Sequence, residues 1–142
     1  MAVVMILAVQ IVSVSVTCDA QAATTTTTAK KKTGLYKEAG RYYYYVNGKK
    51  IKTQWKTING KRYYFGSKYH AVTYHNKIGG KLYVFDTAGR LLTGSGSRIV
   101  SVGQYSYYVN KYGNPSRGWL CLPDKNLYYA DSWGRFYKNR TL

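Results

Sequence analysis

The side chains of this protein that are equipped for chemistry are mostly aromatic. Its 142 residues include 17 Tyr, 3 Trp and 3 Phe, many of them beside Lys, Arg or Asn. A pyranose ring offers a flat face of C–H groups rimmed by hydroxyls; an aromatic ring covers the face, and a neighbouring amide, ammonium or guanidinium group answers the rim. By residue type and neighbourhood, Trp55, Tyr64, Trp119 and Tyr129 are the best candidates for such ligand-binding contacts. Strand side chains alternate between two faces, so half or more of the aromatics must serve a core, and for any single Tyr packing and ligand contact are even expectations.

Other chemistries lack their residues. Glycoside hydrolysis needs two carboxylates converging across a cleft. Beyond the N-terminal leader the acids are Glu38, Asp86, Asp124 and Asp131, which read as scattered over different repeat positions. His70 and His75 flank Tyr74, but no third ligand and no helical H-E-x-x-H pattern accompanies them, so they read as exposed turn histidines rather than a metal site. Cys121 carries no nucleophile motif and reads as a small, half-buried strand residue. The expectation is a protein with no catalytic residues, no metal and no cofactor.

The elements that hold the aromatics recur. Ala39-Gly40, Asn59-Gly60 and Gly79-Gly80 are spaced by 20, each followed by Arg or Lys and then by Tyr43-Tyr44-Tyr45, Tyr63-Tyr64-Phe65 or Tyr83-Val84-Phe85. Thr53, Thr73 and Thr93 close three units at the same interval. A fourth unit, stretched by Gly94-Ser95-Gly96-Ser97, carries Tyr107-Tyr108, and a fifth opens at Gly118-Trp119 and carries Tyr128-Tyr129. A glycine follows the aromatic pair in the last three units (Gly89, Gly113, Gly134), with Tyr69 in its place in the second. Asn-Gly or Gly-Gly between β-prone runs permits the positive φ angles of a two-residue turn, so each unit is a β-hairpin plus a linking turn. A lone hairpin is marginal in water, and successive units must share a core. The fold expected is all-β, a solenoid of stacked hairpins of about 20 residues, with units 34–53, 54–73, 74–93, 94–117 and 118–142.

The N-terminal segment differs in kind. Met1 to Val16 is uncharged and largely aliphatic and runs into Ala20-Gln21-Ala22, a small-x-small cleavage pattern, so 1–22 reads as a signal peptide lacking the usual basic start. The apolar run falls short of the roughly 18 residues of a spanning helix, which argues against stable membrane insertion after cleavage. Thr17 before Cys18 is a poor match to lipoprotein processing. Residues 23–33, with Thr24 to Thr28 and Lys30-Lys31-Lys32, read as a flexible Thr/Lys-rich tether. After cleavage the chain would carry 22 basic against 4 acidic residues, a formal charge of +18, and Cys121 would have no disulfide partner. Such a chain is drawn to polyanions, and salt weakens the attraction.

Residues 34–142 resemble the cell-wall-binding repeats of Gram-positive surface proteins, the choline-binding, glucan-binding and clostridial-toxin type. The resemblance rests on Gln54-Trp55-Lys56-Thr57-Ile58-Asn59-Gly60-Lys61-Arg62-Tyr63-Tyr64-Phe65, on the run from Gly80 to Thr93, and on Gly118-Trp119. It implies a hairpin solenoid with ligand sites in grooves between units, in a secreted, wall-associated protein whose partners are cell-wall polysaccharide, glucan or a teichoic-acid-type polymer. The family's choline boxes use a first Trp, a second Trp before the Tyr pair, and an aromatic of the next unit. Here the second position holds Arg62, Leu82 and Ser106, and the first holds Trp55 and Trp119 but Leu35, His75 and Ser95 elsewhere. The incomplete boxes and the basic charge rank choline below a neutral glucan or an anionic wall polymer. A self-associating structural or adhesive protein is the alternative. A binder of single-stranded nucleic acid is a weaker rival, since the chain looks exported and no nucleic-acid motif accompanies its charge.

Overall fold

The computed structural model describes residues 31–136, so the expected signal peptide, the tether up to residue 30 and residues 137–142 lie outside the described residues. Among the described residues there is no helix, and the eleven strands are β1 (Gly34–Glu38), β2 (Arg41–Val46), β3 (Lys49–Lys50), β4 (Gln54–Ile58), β5 (Lys61–Phe65), β6 (Tyr74–Ile78), β7 (Lys81–Phe85), β8 (Arg98–Val102), β9 (Tyr105–Val109), β10 (Gly118–Cys121) and β11 (Leu127–Ala130). They form the expected antiparallel hairpins: β1–β2 with β3 added, β4–β5, β6–β7, β8–β9 and β10–β11. We number these hairpins 1 to 5.

The expected turn chemistry is realised. In hairpin 2, Ile58 faces Lys61 across Asn59 and Gly60, whose φ angles of 48° and 71° are both positive, as a type I′ turn requires. Hairpin 5 departs from the pattern: Cys121 pairs with Leu127 across a wider loop in which Leu122 N–H donates to the Asn126 carbonyl.

After each of the first four hairpins the chain folds back along it. Ile51, Val72, Leu92 and Ser116 donate their N–H groups to the carbonyls of Tyr44, Tyr64, Val84 and Tyr108 at 2.8–3.0 Å. The same returning segments stitch one hairpin to the one before it. Ala71 N–H donates to Tyr42 O at 2.8 Å, Leu91 N–H to Arg62 O at 2.7 Å, and Phe136 N–H to Ser106 O at 3.0 Å. At the equivalent place between hairpins 3 and 4 stands Pro115, which has no N–H to give. There the side chain of Asn114 supplies the missing donor, its Nδ2 lying 2.6 Å from Leu82 O.

The turn that launches each returning segment is built by one residue after the strand. Asp86 Oδ1 accepts from the N–H groups of Ala88 and Arg90, Asn110 Oδ1 from those of Tyr112 and Asn114, and Asp131 Oδ1 from those of Trp133 and Arg135. Asp86 and Asp131 therefore occupy one repeat position, not different ones, and both are turn formers. The glycine that follows meets the preceding unit at close range. A Cβ on Gly113 would lie 2.8 Å from Leu91 Cδ1 and 2.9 Å from Leu92 O, on a backbone with φ of 80°. Gly89 and Gly134 meet Ala71 and Pro115 in the same way.

Apolar side chains fill the junctions between hairpins. Tyr63, Phe65 and Ala71 pack with Leu35, Tyr42, Tyr44, Ile51 and Ile58. Val84, Val100, Val102, Tyr107 and Val109 form a second cluster, and Leu122, Ala130 and Phe136 a third. Tyr63 and Phe65 face inward while Tyr64 between them is half-buried, as strand alternation demands. Hairpin 3 breaks that pattern, since adjacent Val84 and Phe85 are both fully buried and both of its faces are covered.

Two stability outcomes follow. Gly113→Ala meets both a left-handed backbone and a collision, and is expected to cost at least about 2 kcal/mol. Gly60→Ala, with open space around the added methyl, is expected to cost only the backbone penalty of about 1–2 kcal/mol. Equal urea midpoints for the two would refute the close-approach explanation. Asn114→Ala should lower the unfolding free energy by about 1 kcal/mol through the lost bond to Leu82 O. An unchanged denaturation midpoint would mean that the amide does not hold the junction.

Candidate functional site

Strand register brings the four sequence-identified aromatics together in two pairs. Trp55 lies opposite Tyr64 in hairpin 2 and Trp119 opposite Tyr129 in hairpin 5. The two pairs occupy the same repeat position. Their ring centroids are 5.2 and 5.3 Å apart, both edge-to-face.

Their surroundings differ. Trp55 is half-buried, and the next hairpin walls it in: Tyr83 lies 5.0 Å away edge-on and Phe85 stacks at 5.9 Å. Trp55, Tyr64 and Tyr83 thus make a three-ring corner between consecutive hairpins. Its cation place is already taken, because the Arg62 guanidinium sits 4.3 Å from the centre of the Trp55 ring. Trp119 and Tyr129 have no such wall among the described residues and remain 59% and 54% exposed. Leu127 stands where hairpin 2 carries Arg62, and it too is exposed. The Trp119–Tyr129 pair therefore offers open aromatic faces. Trp55 offers an edge of a packed corner.

The first-Trp position also holds Leu35 opposite Tyr44 and His75 opposite Val84, as the repeat alignment implies. In hairpin 4 the register corrects that alignment: Ile99, not Ser95, lies opposite Tyr108. The four-residue insertion Gly94-Ser95-Gly96-Ser97 precedes β8 instead of lengthening the hairpin, so the count from the preceding glycine lands too early.

His75 is no free turn residue. Its Nδ1 lies 2.8 Å from the Tyr107 hydroxyl, and its ring is 5.1 Å from Trp133. Burial raises Tyr107 to about 12, so its O–H stays protonated. Burial first, and then the Arg135 charge, push His75 below its ordinary value. Neutral His75 accepts a hydrogen bond from the Tyr107 O–H, and the pair welds hairpin 3 to hairpin 4. His70 makes a separate contact, with Nδ1 3.0 Å from the Ala71 carbonyl. Among the described residues no three of His, Cys, Asp and Glu lie close enough together to hold a metal ion.

The carboxylates are engaged in structure. Asp86 and Asp131 each bind a turn and the Arg four residues on, at 2.6 and 2.7 Å. Asp124 accepts from the Asn126 N–H and the Tyr128 hydroxyl. Glu38 sits among Lys32, Lys50 and the Tyr45 hydroxyl, and hydrogen bonds from these groups, Lys32 foremost, hold it down to about 2. Cys121 is exposed, not half-buried. Sequence reasoning missed Tyr83 and Phe85 as walls of the Trp55 corner; the available signal was their place one full repeat after Tyr63 and Phe65.

No family model and no curated protein matches the chain. Solved structures do. CbpF, determined in complex with ipratropium, matches 78% of this chain and 35% of its own length at 30% identity and a TM-score of 0.54. The Cpl-1 endolysin complexed with a peptidoglycan analogue matches 80% of this chain and 40% of its own at 22% identity and a TM-score of 0.52. The pneumococcal cell-wall endolysin from phage Cp-1 complexed with choline matches the same shares at 23% identity and a TM-score of 0.51. The endolysin likenesses establish the fold alone. This chain spans well under half the length of each of these proteins.

The state of His75 gives a pH outcome. A histidine whose folded pKa is lowered takes up protons more readily when unfolded, so its contribution to stability is complete above the ordinary value of 6.5. It is lost as pH falls from there through the depressed folded value. Thermal unfolding followed from neutral pH downward should register a fall in midpoint that is smaller in His75→Asn. An equal fall in both proteins would assign it to other groups.

Proposed function

As a member of the aromatic cell-wall-binding repeat family of the choline- and glucan-binding type, this chain is, we propose, a non-catalytic module that attaches to cell-wall polysaccharide or another glycan. In this reading residues 34–142 form a solenoid of five degenerate repeats, 34–53, 54–73, 74–93, 94–117 and 118–142, behind a signal peptide, 1–22, and a tether, 23–33. The protein is secreted and wall-associated. The carrying observation is the Trp–Tyr pair set at one register in hairpins 2 and 5, at 5.2 and 5.3 Å. Paired rings at one inter-strand position suit the flat face of a sugar, with Arg62 beside the first pair and Ser116, Arg117 and Asp131 lining a cleft with Tyr129 of the second.

The geometry ranks the ligands. A quaternary ammonium needs an unoccupied aromatic corner, and the walled corner at Trp55 already holds a cation in Arg62. That supports a neutral glucan or an anionic, teichoic-acid-type polymer over choline. A non-catalytic role is supported by the commitment of Glu38, Asp86, Asp124 and Asp131 to ion pairs and turns. The exposed cluster of Trp119, Leu127 and Tyr129 favours one second reading, self-association through hairpin 5. A single-stranded nucleic-acid binder ranks last.

Retention on purified peptidoglycan, dextran, teichoic acid and choline resin tests the reading. Trp119→Ala removes an exposed ring and should lower retention on the bound polymer about tenfold, or about 1.4 kcal/mol, with the unfolding midpoint unchanged. Trp55→Ala is less discriminating, because it opens the packed corner and should weaken fold and binding together. Retention on none of the four matrices, or retention indifferent to Trp119, would overturn the proposal; sedimentation that depends on concentration and on Trp119 would favour self-association.

A further inference from the structure

Three clefts recur along the described hairpins at equivalent repeat positions. Each is floored by a hairpin-turn glycine and the residues after it, walled by the returning segment of the next hairpin, and closed by the turn of the hairpin beyond. The first includes Gly40, Arg41 and Tyr42, with His70 and Thr87; the second Gly60, Lys61 and Arg62, with Arg90 and Lys111; the third Gly80, Lys81 and Leu82, with Asn114 and Ser132. Their volumes are about 290, 590 and 680 Å³. The residue after the turn glycine is basic in all three.

The middle cleft is the most charged. Lys61, Arg62, Arg90, Arg98 and Lys111 line it, against one carboxylate, Asp86. Asp86 is already committed: its Oδ1 accepts two backbone N–H groups, and its Oδ2 lies 2.6 Å from Arg90 Nε. Among the described residues no ion pair neutralises the other four. Three of them are nonetheless held in place, by partners that leave the charge intact. The Arg98 Nε donates to the Thr93 carbonyl at 3.0 Å, Arg62 lies on Trp55, and the Lys111 ammonium stands 5.1 Å from the centre of the Tyr112 ring. A surface that merely stays soluble has no need to orient its cations. Four cations without an ion-pair partner around one cleft, three of them oriented, are a preorganised field for an anion.

We propose that this cleft is a phosphate-binding subsite, and that its counterparts let the module take successive phosphodiester units of an anionic wall polymer. Guanidinium groups from Arg62 and Arg98 match phosphate oxygens in planar, paired geometry, while Lys61 and Lys111 supply point charges. The volume of the middle cleft accommodates the phosphate with its flanking polyol or sugar. Arg62 belongs to both the cleft and the Trp55 corner, so a sugar phosphate bound through Arg62 would lie beside the aromatic edge. The choice of a wall polymer as the source of the phosphate rests on the attachment reading above. The site itself rests on the cations alone.

The test uses the full chain and a teichoic-acid-type poly(glycerol phosphate), titrated at several salt concentrations. A Lys61→Gln, Arg98→Gln, Lys111→Gln variant changes three exposed side chains and leaves Arg62 on Trp55 and Arg90 in its turn. It should bind the polymer at least tenfold more weakly and with a shallower dependence on salt. A control with the same loss of charge elsewhere, Lys49→Gln, Lys68→Gln, Lys125→Gln, should lose less than threefold. The Lys61→Arg, Lys111→Arg variant, which conserves charge and keeps the Arg98 guanidinium, should stay within threefold of the parent, and an unchanged thermal midpoint in the triple Gln variant separates ligand loss from a folding defect. Equal loss in cleft and control variants would overturn the proposal in favour of diffuse charge. Single-stranded DNA bound more tightly than the polymer, with the same dependence on the cleft, would overturn the wall-polymer assignment. If the cleft fails while Trp119-dependent retention on glycan persists, the attachment reading survives without it.

Discussion

The structure depends on one contact to a backbone carbonyl, made at every described junction: the chain returning from one hairpin reaches the outgoing strand of the hairpin before it. A two-stranded hairpin buries too little to persist alone, and here each is completed by a neighbour's hydrogen bond and a neighbour's apolar face. Where the backbone makes it, the bond is 2.7 Å at Leu91, 2.8 Å at Ala71 and 3.0 Å at Phe136. Where Pro115 withholds the donor, the Asn114 amide replaces it at 2.6 Å. The close approach of the next turn explains the recurring glycine, since Gly89, Gly113 and Gly134 have no room for a Cβ beside the returning segment.

That demand also shapes the charge of the molecule. Turning the chain back requires an acceptor directly after the strand, and Asp86, Asn110 and Asp131 provide it. Two of the few carboxylates are thereby used internally and paired with Arg90 and Arg135. A third, Glu38, is consumed by Lys32 and Lys50 at the first hairpin. Each of these pairs takes up at least one cation with its acid, so the basic surface follows from the excess of Lys and Arg, 22 against 5 acidic residues.

Much of this was readable in advance because it is local. Asn59-Gly60 announces its turn, and the spacing of Tyr63-Tyr64-Phe65 from Tyr83-Val84-Phe85 gives the period, because hairpin residues interact within a few positions of each other. The pairing of Trp55 with Tyr64 follows from the same short register. Reading failed where the information is not local. Counting from a glycine put Ser95 in the place of Ile99, because nothing in Gly94-Ser95-Gly96-Ser97 says whether an insertion lengthens a loop or a strand. His75 looked like a turn residue because its partners, Tyr107 and Trp133, belong to later hairpins. The clefts were invisible for the same reason, each being assembled from three hairpins. The acids looked scattered because the stretched fourth unit hides the equivalence of Asp86 and Asp131.

One position shows how the repeated hairpins hold their junctions while varying a side chain. Tyr42, Arg62, Leu82 and Ser106 are equivalent, and the carbonyl of each accepts the bond that joins its hairpin to the next. The structural duty of the position lies in the backbone, so its side chain is released from it. The four side chains accordingly do different things: Tyr42 packs into the first junction, Arg62 covers Trp55, Leu82 lines the third cleft, and Ser106 bonds Ser101 across its hairpin at 2.9 Å. The same carbonyl contact is thus made below a Tyr, an Arg, a Leu and a Ser. What changes is whether the neighbouring aromatic position presents an open ring, as at Trp119, or a capped one, as at Trp55 under Arg62.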